Sequence, residues 1–266
     1  MFYIIKLFRE FLFSTANNRR KKAKTQNLKN IKTCKLKNYH YLCTMTEKKL
    51  RIKDMSITVE QVYHQMGGSP QHVDDSLLDE ISEIIVWAED KIHPSFCYQI
   101  LRGELTSNCL SFNDSIFHVK HTIASELNGS EAFALFVATA GEGYTEFSLR
   151  PDIKEDLVKS SIMDALGSII AERSADAMEI SLQESIDKLG WHHTNRYSPG
   201  YCGWDIREQQ ELFRLLGDTP CGVTLNDSCL MSPIKSISGV VGIGKQVARH
   251  DYRCKLCGRK NCYLRC

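Results

Sequence analysis

One stretch of helical hydrophobic periodicity, residues 152–190, constrains the fold of this chain more than any other feature. Apolar side chains recur along it with a period near 3.6 residues, which predicts an α-helix with an apolar stripe. Any fold of this chain must bury that stripe against other elements. The stripe consists of Ile162, Leu166, Ile169, Ile170, Ala177, Ile180, Ile186 and Leu189, and the polar positions include Glu172, Arg173, Asp176 and Glu184.

Shorter helices and strands are predicted around this helix. The run EAFALFVATAG, residues 131–141, is continuously apolar and ends at a glycine, which favours a strand buried on both faces. Because helices and strands do not alternate as regular βαβ units, the sequence predicts an α+β fold, with long helices and a mixed or antiparallel sheet. The other predicted helices are 58–67, 74–92, 121–130 and 206–217, and the other predicted strands are 95–101, 115–120, 223–233 and 236–244.

The net charge of +2 conceals opposite charges in two parts of the chain. Residues 1–54 contain 15 Lys and Arg and 3 Asp and Glu, whereas the remaining residues contain 19 and 29. This division is unlike that of a uniformly basic nucleic-acid-binding protein. We expect residues 1–54 to form a basic, disordered extension, of which residues 1–44 are dispensable, and the folded part to begin near Ile57.

The first residues lack the features of a membrane span or an export signal. The apolar stretch MFYIIKLFREFLF has 13 residues and is interrupted by Lys6, Arg9 and Glu10, so it is too short to cross a bilayer. No small-residue cleavage site follows it. We therefore expect a cytoplasmic protein with neither a membrane nor a nucleic acid as partner. A presequence-like or surface-binding arm is the alternative to a disordered extension.

Four of the eleven cysteines lie in the last 13 residues, as CKLCGRKNCYLRC. Without an export signal a disulfide framework is disfavoured, and clustered thiolates in a reducing compartment usually bind metal. The sequence predicts a metal-binding tail, residues 251–266, after a folded domain at 55–250. The spacing leaves open a tetrahedral zinc and a [4Fe–4S] cluster. The four predicted ligands are Cys254, Cys257, Cys262 and Cys266.

The segment RYSPGYCGWD, residues 196–205, is an unusual loop because it combines aromatic rings, glycines and an arginine. Arg196 can donate two parallel hydrogen bonds to a carboxylate. Gly200 allows a close backbone approach or a positive φ. Aromatic faces suit a planar ring, so an amino acid joined to a purine would fit such a loop. The alternative is that the aromatic rings fill the core and Arg196 is a surface charge.

Residues 75–266 resemble the activation domain of cobalamin-dependent methionine synthase. That family combines an R-x-x-P-G-Y loop, a helix and an L-T-x-S-x-x-M-x-P-x-x-S-x-S-G strand pair; here RYSPGY and VTLNDSCLMSPIKSISG correspond to them. The chain departs from the pattern in the inverted order of Thr224 and Leu225. It also has Cys-Gly-Trp-Asp where Pro-Ala-Cys-Pro usually follows the tyrosine.

The resemblance implies an S-adenosylmethionine site. Arg196 would hold the methionyl carboxylate, and Asp176, a glutamate in the multidomain enzymes, would face the amino group. Backbone at Ser198 and Gly200 would contact the ligand, and Tyr201 would line the face presented to cobalamin. In such domains S-adenosylmethionine methylates cobalamin after one-electron reduction, so the protein positions reactants and supplies no acid or base.

The chain lacks the D-x-H-x-x-G motif of cobalamin-binding domains and has no room for a folate or homocysteine domain. We therefore expect a stand-alone activator that acts in trans on a cobalamin-dependent methionine synthase, as a component of methyltransferase reactivation. An electron donor is the second expected partner. One alternative is an activator of another corrinoid methyltransferase. The other is a non-catalytic module that binds S-adenosylmethionine or corrinoid and carries a structural zinc tail.

Overall fold

The computed structural model of the chain describes residues 45–69, 74–112 and 114–250. Four short 3₁₀ helices occur in this part of the chain, at Ile52–Asp54, Asp187–Leu189, Ile206–Glu208 and Pro220–Gly222. The α-helices are α1 (Val59–Gln65), α2 (Asp75–Lys91), α3 (His121–Leu127), α4 (Glu142–Ser148), α5 (Pro151–Lys154), α6 (Leu157–Ile186) and α7 (Gln209–Leu216).

An antiparallel sheet of five strands lies at the centre, in the order β1-β2-β6-β10-β7. Two small antiparallel sheets accompany it, β3-β4-β5 and the two-residue pair β8-β9. The α+β prediction is confirmed by this architecture. The strands are β1 (Thr46–Lys49), β2 (Ser95–Leu101), β3 (Glu104–Thr106), β4 (Cys109–Phe112), β5 (Ser115–Phe117), β6 (Ala132–Thr139), β7 (His192–Tyr197), β8 (Thr224–Leu225), β9 (Met231–Ser232) and β10 (Ser236–Gly244).

The central strand β6 is buried along its whole length, as its continuous apolar sequence predicts. On one face of the sheet, Phe133, Leu135 and Val137 of β6 pack with side chains of α3 and α7. On the other, α6 contacts β6 and β2 and is itself covered by α1 and α2. The sheet is thus a layer between two sets of helices, and β7 forms one of its edges.

The long helix α6 begins later than the sequence predicts. Asp156 has extended backbone angles, and its Oδ1 accepts hydrogen bonds from the backbone N–H groups of Val158 (2.9 Å) and Lys159 (3.2 Å). This N-cap separates α6 from the single turn α5. Most of the predicted stripe is buried or half-buried, but Ile180 is 63% exposed.

The fold includes residues that the sequence analysis assigned to the extension. Strand β1 pairs with β2 from Thr46 to Lys49, and Ile52 is 1% exposed against the helical layer. The charged sequence TEKK does not predict a strand. Strand β1 forms nevertheless, because an edge strand needs little apolar sequence. The predicted extension of residues 1–54 therefore differs from the structure over residues 46–54, and residues 1–44 lie outside the described residues.

Two other elements differ from the predictions. The predicted strand 223–233 is a pair of two-residue strands, β8 and β9, joined by a turn in which the Asn226 side chain accepts from two backbone N–H groups. Residues 192–197 form a sheet strand, although the sequence analysis placed Arg196 at the head of a loop. In the described part of the chain, no helix combines the length and apolarity that crossing a membrane requires.

Candidate functional site

Arg196 is the penultimate residue of the edge strand β7 and lies opposite Val241 of β10. Neighbouring side chains on a strand point to opposite faces. Tyr197 packs into the cluster beneath α3 and donates from its hydroxyl to Oε2 of Glu126 at 3.3 Å. Arg196 points to the other face, toward α6, where its side chain is 18% exposed. A half-buried guanidinium therefore lies at the junction of the sheet edge and the long helix.

Three carboxylates of α6 surround this guanidinium. Nη1 of Arg196 lies 3.1 Å from Oδ1 of Asp176 and 3.6 Å from Oε2 of Glu179. Nη2 donates to Oε2 of Glu172 at 3.2 Å. The spacing of three to four residues places these acids on one face of the helix. We call Arg196, Glu172, Asp176 and Glu179 the arginine cluster.

The three carboxylates crowd one another, which affects their ionisation. Partial desolvation among its neighbours raises the pKa of Glu172 above its ordinary value, although its side chain is 63% exposed. The Arg196 guanidinium lowers this pKa, and the negative charges of Asp176 and Glu179 raise it. The carboxylates thus repel one another and attract any further positive charge.

Glu179 is the buried member of the cluster and has a second arginine as partner. Its side chain is 5% exposed, and its Oε2 lies 3.5 Å from Nη2 of Arg249. Arg249 is held near the sheet by its neighbour His250, whose backbone forms two hydrogen bonds with the side-chain amide of Asn195 (2.8 and 2.9 Å). The chain that follows β10 therefore returns to the site. No motif in the sequence pointed to Glu179, Arg249 or Asn195.

A groove of about 500 Å³ opens beside the arginine cluster. Asp176 contributes to both, because it bonds to Arg196 and also lines the groove. Residues of the segment after β1 form the opposite wall, including Arg51 and Asp54, which the sequence analysis assigned to an extension. The full lining is Lys49, Leu50, Arg51, Asp54, Met55, Arg173, Asp176, Ala177 and Ile180. The groove thus has apolar side chains among charges of both signs. Ile180, the exposed residue of the predicted apolar stripe, is one of these apolar side chains.

The loop after β7 turns sharply at Gly200. Gly200 has a φ of 93°, and its N–H donates to the Trp204 carbonyl at 2.9 Å. Gly239 of β10 lies under the start of the loop, where an added Cβ would come within 2.3 Å of the Tyr197 carbonyl oxygen and 3.0 Å of the Ser198 hydroxyl. A glycine is therefore needed at 239 for the backbone of the loop to lie against β10.

Two aromatic residues of the loop differ in burial, so one fills the core and the other is free to contact a ligand or partner. Trp204 is buried, packs edge to face on Phe117 at 5.9 Å, and donates from Nε1 to Glu208 at 2.6 Å. Tyr201 lies at the loop tip and is 62% exposed. The core-filling role therefore applies to Trp204, and Tyr201 is available to a partner.

The sequence matches the family described as "Vitamin B12 dependent methionine synthase, activation domain" over residues 79–263. The chain belongs to this family. Membership supports a role in the reactivation of a cobalamin-dependent methionine synthase. No curated protein matches the chain. Among solved structures, the crystal structure of the MetH reactivation domain bound to AdoHcy is similar, with a TM-score of 0.60 and 13% identity. The match covers 79% of this chain and 80% of that one, and it establishes a shared fold.

In this activation domain, Arg196 and Asp176, two residues that the resemblance assigns to the ligand, contact each other. It places Ser198, Gly200 and Tyr201 in one turn at the end of β7, with Tyr201 outermost. The four tail cysteines, Cys254, Cys257, Cys262 and Cys266, lie outside the described residues. Among residues 45–69, 74–112 and 114–250, no group of three or more His, Cys, Asp or Glu side chains is arranged to hold a metal ion.

Proposed function

We propose that this activation domain binds S-adenosylmethionine and acts in trans on a cobalamin-dependent methionine synthase, supporting reductive remethylation of cob(II)alamin. The observation that carries the proposal is the contact of Arg196 with Asp176 and Glu172 beside the groove. A guanidinium next to carboxylates is complementary to a zwitterionic amino acid, whose carboxylate pairs with the guanidinium and whose ammonium pairs with the carboxylates.

The ligand would exchange partners with the residues of the site. Its carboxylate would accept the hydrogen bonds that Arg196 now donates to Asp176 and Glu172. Its ammonium group would then donate to those carboxylates. Each charge of the site keeps a partner of opposite sign, so binding leaves no half-buried charge unpaired. Backbone at Ser198 and Gly200 is the proposed third contact.

The positions of the charges in the cluster, and not their sum, suit this ligand. S-adenosylmethionine carries a sulfonium and an ammonium against one carboxylate, so its net charge is +1. The arginine cluster has three acids and one arginine, and Arg249 and Arg173 add two cations at its border. Three acids and three arginines balance in formal charge, so we assign recognition of the ammonium group to the local position of Asp176 at the groove. The half-buried side chains of Leu50 and Met55 and the exposed side chain of Ile180 supply apolar surface in the groove.

The proposed chemistry consumes one electron and one methyl group. A donor protein would supply the electron that reduces cob(II)alamin to cob(I)alamin, and the four tail cysteines would hold the cluster that is the alternative source. The cobalt then takes the methyl group from the sulfonium, and S-adenosylhomocysteine leaves. The protein holds the methyl group in line with cobalt, which is a task of positioning. The exposed Tyr201 at the loop tip is the residue we place against the cobalamin.

Calorimetry with S-adenosylmethionine tests the binding step. We expect Arg196→Ala to weaken binding by about 1.5–3 kcal/mol, the range for a hydrogen bond to a charged group. Arg207→Ala is the matched control, because Arg207 lies in the 3₁₀ helix just after the loop and is ion-paired with Asp205. Its affinity should equal that of the wild type. Equal affinity for Arg196→Ala, or no binding by the wild-type protein, contradicts the proposal.

A reconstituted reaction tests the action in trans. A methionine synthase that lacks its own activation domain, loaded with cob(II)alamin, is mixed with this protein, S-adenosylmethionine and a one-electron reductant. We expect methylcobalamin to appear in the absorption spectrum only when all components are present. Methylation of another corrinoid protein but not of methionine synthase would favour the alternative partner, and methylation of neither would favour a binding module.

A further inference from the structure

Glu179 is a buried carboxylate between two arginines that differ in their exposure. Its side chain is 5% exposed, whereas that of Arg196 is 18% exposed and that of Arg249 is 61% exposed. The two ion-pair distances are nearly equal, at 3.6 Å and 3.5 Å. Such a carboxylate is costly to leave without a cation, because its desolvation is then uncompensated.

Glu179 loses one of its two cationic partners when Arg196 moves to donate its hydrogen bonds to a ligand carboxylate. Asp176 and Glu172 are more exposed than Glu179, at 40% and 63%, and a ligand ammonium can replace Arg196 beside them. Glu179 lies deeper, where its one other cationic partner in the described part of the chain is Arg249. If Arg249 were absent, movement of Arg196 toward a ligand carboxylate would leave Glu179 buried and unpaired.

Arg249 is held in place by the hydrogen bonds of its neighbour. Both backbone groups of His250 bond to the side chain of Asn195, which directly precedes Arg196 on β7. The segment that carries Arg249 is therefore tied to the strand that carries Arg196. In the sequence, Arg249 lies five residues before Cys254.

We propose that Arg249 is a positioning residue that frees Arg196 for the ligand by neutralising Glu179. The inference rests on the proposed function, since the ligand must carry a carboxylate that reaches Arg196. Arg249 itself stays on Glu179 and does not touch the ligand. Affinity for the carboxylate-bearing ligand then depends on the pair of Glu179 and Arg249, although neither residue belongs to the loop.

A double-mutant cycle on the full chain tests this inference. S-adenosylmethionine is titrated calorimetrically into the wild type, Arg249→Ala, Glu179→Gln and the double variant. We expect Arg249→Ala to weaken binding roughly fivefold to tenfold, a value between an exposed and a buried ion pair. In the Glu179→Gln background the same change should have no effect, because no charge remains to be neutralised.

Three controls separate this role from a structural one. Arg249→Lys keeps the charge and should restore most of the affinity. Arg150→Ala removes an arginine that is paired with Asp152 and should bind as the wild type does. 5′-Methylthioadenosine lacks the carboxylate, so Arg249→Ala should bind it with unchanged affinity.

The outcomes distinguish failure of this inference from failure of the proposed function. Absence of S-adenosylmethionine binding by the wild type removes the proposed function and the inference with it. Binding by the wild type that is unchanged in Arg249→Ala removes the inference alone. So does an equal loss from Arg249→Ala in both backgrounds, because that loss would not pass through Glu179.

Discussion

Arg196 donates from Nη1 to Oδ1 of Asp176 at 3.1 Å, which joins the edge strand of the sheet to a helix residue 20 positions earlier in the chain. Asp176 also lies 3.9 Å from the guanidinium of Arg173, one helical turn away, and lines the groove. The carboxylate therefore belongs at once to the arginine cluster and to the groove. Because of this double contact, we propose that Asp176 binds the charged end of the ligand at the groove.

We predict that Asp176→Asn weakens S-adenosylmethionine binding by about 1–3 kcal/mol, since the amide cannot balance the ligand ammonium. Calorimetry measures the change. Asp164→Asn is the matched control on the same helix, because Asp164 pairs with Lys235 away from the cluster, at 2.7 Å. Similar losses in both variants would mean that the effect comes from helix stability and not from the ligand contact.

A second prediction concerns where the folded part of the chain begins. A chain that starts at Met45 should melt at the same temperature as the full chain and bind the ligand equally. A chain that starts at Ile57 loses β1 and the buried Ile52 side chain. Burial of one isoleucine contributes about 1.5–3 kcal/mol, so its melting temperature should fall by several degrees.

The shorter chain has a second expected defect. Arg51, Asp54 and their neighbours form one wall of the groove, and they are removed with β1. Ligand affinity should therefore fall together with stability, and calorimetry below the melting transition separates the two effects. A chain starting at Met45 that loses several degrees would contradict the expected dispensability of residues 1–44.

The elements that sequence predicted well have strong local patterns. The run 131–141 became the fully buried β6, and the helical period of 152–190 became α6, shortened by the cap at Asp156. Strand β1 was missed because TEKK is charged and its stability comes from pairing with β2, a partner about 50 residues away. The strand character of 192–197 was missed for the same reason.

The residues of the candidate site could be proposed from the sequence only where family motifs cover them. Arg196 and Asp176 follow from the resemblance, and their contact requires β7 to lie beside α6. Glu179 shares that helix face but looks like one more polar position in the sequence. Arg249 and the groove wall at Arg51 come from distant segments that reach the site through tertiary contacts. Local sequence patterns do not predict contacts between such distant segments.

A third prediction concerns stability at high pH. Burial, with a contribution from the charge of Asp164, raises the pKa of Tyr144 to about 12 from 10.0. The folded state therefore holds this proton more tightly than the unfolded state. The stabilisation is complete below about pH 10 and is lost as the pH rises toward 12, by about 2–3 kcal/mol in total.

Denaturant unfolding at a series of pH values between 8 and 11.5 checks whether the free energy of unfolding falls as the pH rises. Tyr144→Phe should be less stable near pH 8 by about 1 kcal/mol, because the hydroxyl donates to the Met163 carbonyl at 3.3 Å. The variant should lose less stability than the wild type above pH 10, so the two curves converge and then cross. Tyr201→Phe, at the exposed loop tip, is the control and should follow the wild type. Parallel curves for Tyr144→Phe and the wild type would exclude the proposed linkage.

The last prediction concerns the tail, where we expect Cys254, Cys257, Cys262 and Cys266 to hold one metal centre. Of zinc and an iron–sulfur cluster we favour the cluster, because remethylation of cobalamin needs a one-electron donor and zinc has no redox chemistry. The basic residues of the tail act against this role, since they would stabilise the reduced cluster and raise a potential that should be low.

Metal analysis after anaerobic reconstitution distinguishes an iron–sulfur cluster from zinc. We expect about four irons per chain, the content of a cluster with four cysteine ligands, and a brown protein with absorbance near 400 nm. Cys257→Ser should lose the iron. Cys109→Ser, which removes one of the free cysteines of the folded domain, should keep it. One tightly bound zinc would make the tail structural, and the electron would then have to come from a separate donor protein.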